Sequence, residues 1–194
     1  LKAVLAAVES GRLSRRRIDE SVARILAAKE RLGLDKKRFV DIDAIGEDVD
    51  SPESNQSAQE IAGRAVTLVR NENGVVPLQA PSRTCFYVLA ESRYAVGGQV
   101  LATEVRNREQ GAAVTMLDPS MPWAAIEPLL QKSAACEVHA VAAFSSVSAY
   151  RGNLALGGEL GRVVEALVSS GRPVILTALG NPYLLRSFPR VAAY

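Results

Sequence analysis

The segment Pro173-Val174-Ile175-Leu176-Thr177-Ala178-Leu179 decides the fold, because it is apolar at nearly every position and does not alternate with polar residues. A strand with this pattern is buried on both faces, which is typical of parallel sheets in α/β proteins. Three earlier runs have the same character, and they span residues 85–90, 113–117 and 138–144. The sequence therefore predicts four buried strands.

Helical segments separate these strands. The patterns at 97–110, 122–134 and 157–170 predict helices, so strand and helix alternate along the second part of the chain. Such alternation implies right-handed crossovers and a mainly parallel, doubly wound sheet between two layers of helices. We predict an α/β fold, a three-layer αβα sandwich, in which residues 191–194 begin a further strand.

The first part of the chain predicts an amphipathic helix over residues 14–32. Ser14 is a favourable N-cap and Gly33 a favourable stop. Ile18, Val22 and Ile25 fall on one face of this helix, so it needs a partner surface. The chain begins without methionine inside a helical pattern, and we therefore expect it to start within a longer protein.

Residues 35–57 are polar and acidic with little periodicity, which is typical of a linker. Within this stretch Ser51-Pro52-Glu53 opens another helix, since proline is favoured in the first turn. We therefore predict terminal helices of a preceding domain at 1–34, a linker at 35–57 and the α/β domain at 58–194, which we expect to be incomplete at its C-terminus.

Composition excludes several kinds of partner. Twenty-three basic and 21 acidic residues give a net charge of +2, which is too balanced for a nucleic-acid or anionic membrane surface. No apolar run reaches the roughly 18–20 residues that a membrane span needs. Cys85 and Cys136 lie far apart, each in an apolar run, so we predict two buried thiols instead of a metal site or disulfide. The cellular compartment stays open.

No motif for cofactor or nucleophilic chemistry is present. The turn after the first strand, residues 90–98, lacks a phosphate-binding glycine pattern and carries Glu91 where phosphates would bind. His139 lies inside an apolar strand without a neighbouring carboxylate, so we interpret it as a core histidine. No serine lies in a GxSxG elbow. We expect neither cofactor nor metal.

Acidic pairs of the linker lack a rigid support. Asp41 with Asp43, and Asp48 with Asp50, lie in the predicted linker. Glycoside hydrolysis needs two carboxyl groups held at a fixed separation across the bond, which a polar linker does not provide. The residues alone therefore predict an α/β domain without an active site.

Three stretches resemble family 3 glycoside hydrolases. Residues 6–34, AAVESGRLSRRRIDESVARILAAKERLGL, resemble the segment that closes the family's N-terminal barrel. Residues 62–78, AGRAVTLVRNENGVVPL, are similar to the strand and turn that open its second domain. The motif SAYRG at 148–152, followed by GRPVILTALGNPYLL at 171–185, resembles the bacterial β-N-acetylglucosaminidase branch.

The resemblance implies a retaining mechanism in which an aspartate of the barrel attacks the anomeric carbon. That aspartate's motif is absent here, so we expect no catalytic residue in this chain. In the β-glucosidase-like branch the acid/base is a glutamate on a loop of the second domain. The corresponding loop here, residues 144–153, has no carboxylate, which favours the N-acetylglucosaminidase branch, whose acid/base pair lies on the barrel.

The implied partners are the catalytic barrel of the same polypeptide and a glycan. Tyr150 and Arg151, on the loop 145–153, are the candidate substrate-binding residues. Two alternatives remain: the same domain of a β-glucosidase or β-xylosidase, and a stand-alone carbohydrate-binding or interaction module. The apolar face of the helix 14–32 argues against a free module, where it would be exposed. The natural glycan and the oligomeric state stay open.

Overall fold

The computed structural model describes residues 1–146 and 155–194, and the chain divides into two compact units, Leu1–Val66 and Thr67–Tyr194. The first unit is helical. Its helices are α1 (Lys2–Glu9), α2 (Arg15–Arg31), α3 (Ile45–Val49) and α4 (Pro52–Ala65). Part of the stretch predicted as a linker is therefore helical, although its placement as a connection between domains stays a prediction.

Helix α2 begins and ends where the sequence indicates. The Ser14 side chain accepts a hydrogen bond from the Arg17 amide at 3.1 Å, and Gly33 follows the helix with a φ of +68°. No residue of α2 is buried. Val22 is 46% exposed and Ile25 is 56% exposed, so much of the apolar face of α2 is uncovered.

The second unit holds four parallel strands in the order β2-β1-β3-β4. The strands are β1 (Thr84–Leu89), β2 (Ala113–Leu117), β3 (Val138–Ser145) and β4 (Val174–Gly180). The connecting helices are α5 (Val96–Arg108), α6 (Trp123–Gln131) and α7 (Leu160–Ser169). The predicted α/β fold with a parallel sheet is confirmed, and element boundaries differ from the prediction by at most a few residues.

Helices cover both faces of the sheet. Alternate residues of a strand point to opposite faces. Cys85, Tyr87 and Leu89 of β1 belong to the main core, to which α7 contributes Leu160, Val163, Val164 and Leu167. On the other face α5 packs so closely that a Cβ on Gly98 would lie 3.4 Å from Val88 Cγ1. The sheet therefore lies between two layers of helices, as predicted for an αβα sandwich.

Burial on both faces does not hold for β2, in which Leu117 is the only buried residue, or for β3 and β4. Along β3 buried residues alternate with partly exposed ones, and in β4 Thr177 and Leu179 are exposed. In β3 and β4 the prediction fails because α5 packs mainly on β1 and β2. The alternate residues Ala140 and Ala142 are apolar in sequence but only partly buried.

The segment near Tyr194 extends the sheet beyond β4. Ala193 forms a parallel bridge with Ile175 and an antiparallel bridge with Asn71. The Leu176 amide donates to the Ala193 carbonyl at 2.9 Å. The pattern at 191–194 thus adopts the strand-like pairing that was expected from its sequence.

The prediction of two separate thiols is wrong, because Cys85 and Cys136 form a disulfide with their Cα atoms 5.7 Å apart. The parallel pairing of β1 with β3 sets Thr84 opposite Val138, and so brings the residues at the start of both strands together. A separation of 51 residues hides this proximity in the sequence.

Candidate functional site

The carboxyl ends of the four strands meet at one edge of the sheet, which we call the carboxyl edge. It comprises the loops that follow Leu89, Leu117, Ser145 and Gly180. From β1 the chain first adds β2 on one side of β1 and then adds β3 on the opposite side. The order in which strands are added to the sheet therefore reverses between β1 and β3. In open parallel sheets ligands bind at such a reversal.

A carboxylate lies at this reversal. Glu91, two residues after β1, accepts a hydrogen bond from the backbone amide of Ser146 at 2.5 Å. Ser146 follows β3 directly and belongs to the loop 145–153. The sequence shows no carboxylate within that loop, and it does not reveal the contact with Glu91, because this contact depends on the pairing of two strands that are not consecutive in the chain.

The turn after β2 holds a second acid, Asp118, which is 8% exposed. Its Oδ1 accepts hydrogen bonds from the hydroxyl and from the amide of Ser120, the latter at 2.9 Å. The pKa of Asp118 is lowered chiefly by the hydrogen bond from the Ser120 hydroxyl. Burial raises this pKa, and the hydrogen bond from the Ser120 amide and the charge of Arg93 lower it. A general acid needs a raised pKa, so Asp118 stabilises the turn and is unsuited to proton donation.

The turn after β4 presents an aromatic side chain. Asn181 is 1% exposed, and its Oδ1 accepts from the Tyr183 amide at 3.0 Å, as a helix N-cap does. Tyr183 is 56% exposed, with the Arg186 guanidinium 5.3 Å from its ring centroid. The carboxyl edge therefore combines exposed aromatic and charged groups.

His139 lies near the start of β3, away from the carboxyl edge. It is 2% exposed, its Nε2 lies 3.4 Å from Ser170 Oγ, and its ring contacts that of Tyr87 edge-on at 5.8 Å. Burial lowers the pKa of His139, and nearby Arg172 acts in the same direction. A buried, neutral imidazole agrees with its interpretation as a core histidine.

The predicted substrate-binding residues Tyr150 and Arg151 lie outside the described residues. The acids Asp41, Asp43 and Asp50 are exposed, as expected. Asp41 pairs with Lys37 at 3.3 Å. Within residues 1–146 and 155–194, no group of three or more His, Cys, Asp or Glu side chains could hold a metal ion. No helix in this part of the chain is long and apolar enough to cross a membrane.

Comparison with known sequences gives no matching family model but several relatives. A β-N-acetylglucosaminidase/β-glucosidase of Cellulomonas fimi is 27% identical to this chain over 198 residues. The matched region is 96% of this chain and 35% of the relative. A periplasmic β-glucosidase/β-xylosidase of Dickeya chrysanthemi is 28% identical over 120 residues, which are 62% of this chain and 18% of the relative.

Solved structures give the same result. The family 3 β-N-acetylglucosaminidase of Paenibacillus sp. str. FPU-7 shares the fold with a TM-score of 0.76 and 22% identity, over 99% of this chain and 36% of the other. The β-glucoside phosphorylase BglX has a TM-score of 0.74 and 26% identity, over 100% and 35%. The Paenibacillus protein is named as a member of glycoside hydrolase family 3, whereas BglX is named a phosphorylase. The chain spans about a third of the Cellulomonas fimi relative and of both structures, and the names of the relatives include both glucosaminidases and glucosidases.

Proposed function

We propose that this chain is the non-catalytic C-terminal part of a retaining family 3 β-N-acetylglucosaminidase, which removes terminal N-acetylglucosamine from glycans. The observation that carries the proposal is the coverage of the Cellulomonas fimi relative: 96% of this chain corresponds to only 35% of an enzyme with that activity in its name. In this proposal the catalytic barrel belongs to the same polypeptide and supplies the nucleophile and the acid/base.

The carboxyl edge supports a non-catalytic role. Asp118 is bound by Ser120 and has a lowered pKa, and Glu91 is engaged by the Ser146 amide. Retaining hydrolysis needs two carboxyl groups about 5–5.5 Å apart on either side of the bond. Asp118 and Glu91 instead each accept a hydrogen bond from a loop amide, so we assign both acids to the support of their loops.

The exposed face of α2 supports a barrel partner. Val22, Ile25 and Leu26 are each about half exposed, whereas apolar residues in this pattern are normally covered. A barrel packed on this face would cover them, and we assign α1 and α2 to the junction with it. The loop 145–153, with Tyr150 and Arg151, then contacts the glycan or the barrel loop that carries the acid/base.

One observation favours a second candidate, a family 3 β-glucosidase or β-xylosidase. In that branch the acid/base is a glutamate supplied by the second domain, and Glu91 meets the loop after β3 through the Ser146 amide. A full-length Glu91→Gln variant separates the two candidates. Loss of activity that azide restores is the behaviour of an acid/base and would establish Glu91 in that role, whereas unchanged activity supports an acid/base on the barrel.

The main test compares the full-length protein with this chain alone on aryl β-N-acetylglucosaminide, aryl β-glucoside and aryl β-xyloside. We expect the full-length protein to prefer the N-acetylglucosaminide and this chain to hydrolyse none of them. A full-length preference for glucoside or xyloside would replace the branch assignment with the second candidate. Turnover by this chain alone, abolished by mutating one of its own residues, would overturn the non-catalytic role.

A further inference from the structure

The amino-terminal end of the sheet carries a covalent link that none of the proposed chemistry uses. The disulfide joins Cys85, the second residue of β1, to Cys136, two residues before β3. Beside it an ion pair connects Arg83 to Glu137 at 2.5 Å. The link therefore fixes the two central strands of the sheet to each other at the end opposite the carboxyl edge.

The two sulfur atoms differ in access. Cys85 is 4% exposed and belongs to the main hydrophobic core, whereas Cys136 is partly exposed at its border. Reduction begins when a thiolate attacks one sulfur and the other leaves as a thiolate. Attack from solvent therefore takes place at Cys136, and Cys85 is the leaving group.

The surroundings of Cys85 disfavour that departure. Its partner on β3 is His139, which is itself 2% exposed. Burial and Arg172 lower the pKa of His139, so the imidazole is neutral and offers no positive charge to a thiolate. A thiolate in an apolar interior is unfavourable, because burial penalises the charged form. Exchange in the folded state is therefore opposed at its first step.

We infer that Cys85–Cys136 is a permanent structural cystine and that the protein matures in an oxidising compartment. The bond forms when the two thiols lose two protons and two electrons to a disulfide oxidant, which is reduced to a dithiol. Structural cystines of this kind persist outside the reducing cytosol. The inference rests on the position of the two cysteines and does not depend on the proposed glycosidase function.

The first experiment isolates the full-length protein from its native cells, with thiols alkylated at lysis. We expect trypsin to release peptides 84–93 and 133–151 as one disulfide-linked species. Alkylated Cys85 and Cys136 in separate peptides would overturn the inference, because the cysteines would then be reduced where the protein works.

The second experiment treats the same protein with dithiothreitol, with and without urea. We expect reduction in the absence of urea to be slower by about a hundredfold or more, since it requires local opening of the core. The matched control is the isolated pair of linked peptides, which should be reduced at the same rate under both conditions. Reduction of the folded protein as fast as the peptide pair would show an exchangeable bond and reject the permanent cystine.

Discussion

A Cβ atom on Gly180 would lie only 2.5 Å from the carbonyl oxygen of Ser145. These residues end β4 and β3 and are paired in the sheet. Gly180 also has a φ of +118°, a backbone conformation that residues other than glycine rarely adopt. The start of the loop 145–153 is therefore held by the last residue pair of the ladder, which only glycine permits.

Gly180→Ala should accordingly lower the free energy of unfolding by about 2–4 kcal/mol, from backbone strain and from the contact with Ser145. Urea denaturation measures this loss. Gly111→Ala is the matched control, since Gly111 has a φ of +86° and nothing within 4 Å of its Cβ position. It should cost about 1 kcal/mol. Equal losses in the two variants would contradict a steric role for Ser145.

Stability should fall as the pH drops below about 6.5, because His139 is the only histidine and is buried in its neutral form. Its folded pKa lies below the ordinary 6.5, so the unfolded chain binds the proton more readily. The contribution is complete above 6.5 and is lost as the pH falls towards the folded pKa.

The measurement is the urea midpoint at several pH values between about 5 and 7.5. Histidine is the residue type whose ordinary side-chain pKa lies in this range, and His139 is the only histidine. His139→Gln is the comparison. It should be less stable at neutral pH and should show a flatter dependence on pH in this window. An equally steep dependence in the variant would assign the effect to another group.

Ile25→Ala should have different effects in this chain and in the full-length protein. Ile25 is 56% exposed here, so the substitution should change the stability of the isolated chain by no more than about 0.5 kcal/mol. Under the barrel covering proposed above, the same change should cost about 2 kcal/mol or more in the full-length protein. Arg24→Ala, which also removes an exposed side chain of α2, should be neutral in both. A neutral Ile25→Ala in the full-length protein would refute a buried junction at α2.

The sequence predicts the strands, the helices and their parallel arrangement because each signal is local. Apolar runs such as 173–179 give the strands, and Ser14 and Gly33 give the ends of α2. Which strands are neighbours is not local. The central place of β1, between β2 and β3, is the piece of information that the pattern lacks.

The missed features of the site and the core follow from that one gap. Cys85 meets Cys136, and Glu91 meets Ser146, only because β1 lies beside β3. The open face near Thr177 has a different origin, since an apolar strand does not reveal which of its faces a helix covers. Residue chemistry predicts the elements, and strand order decides the contacts among them.

Arg151→Ala should reduce kcat/KM of the full-length enzyme about tenfold. The loop that carries Arg151 leaves the carboxyl edge at Ser146, whose amide is held by Glu91, and a charged hydrogen bond to a glycan or to the acid/base loop contributes about 1.5 kcal/mol or more. The free energy of unfolding should change by no more than about 0.5 kcal/mol, as for a surface residue. Arg108→Ala, which removes an exposed arginine of α5, should leave both quantities unchanged. Full activity in the Arg151 variant would remove the loop 145–153 from the active site and leave this chain as a purely structural partner of the barrel.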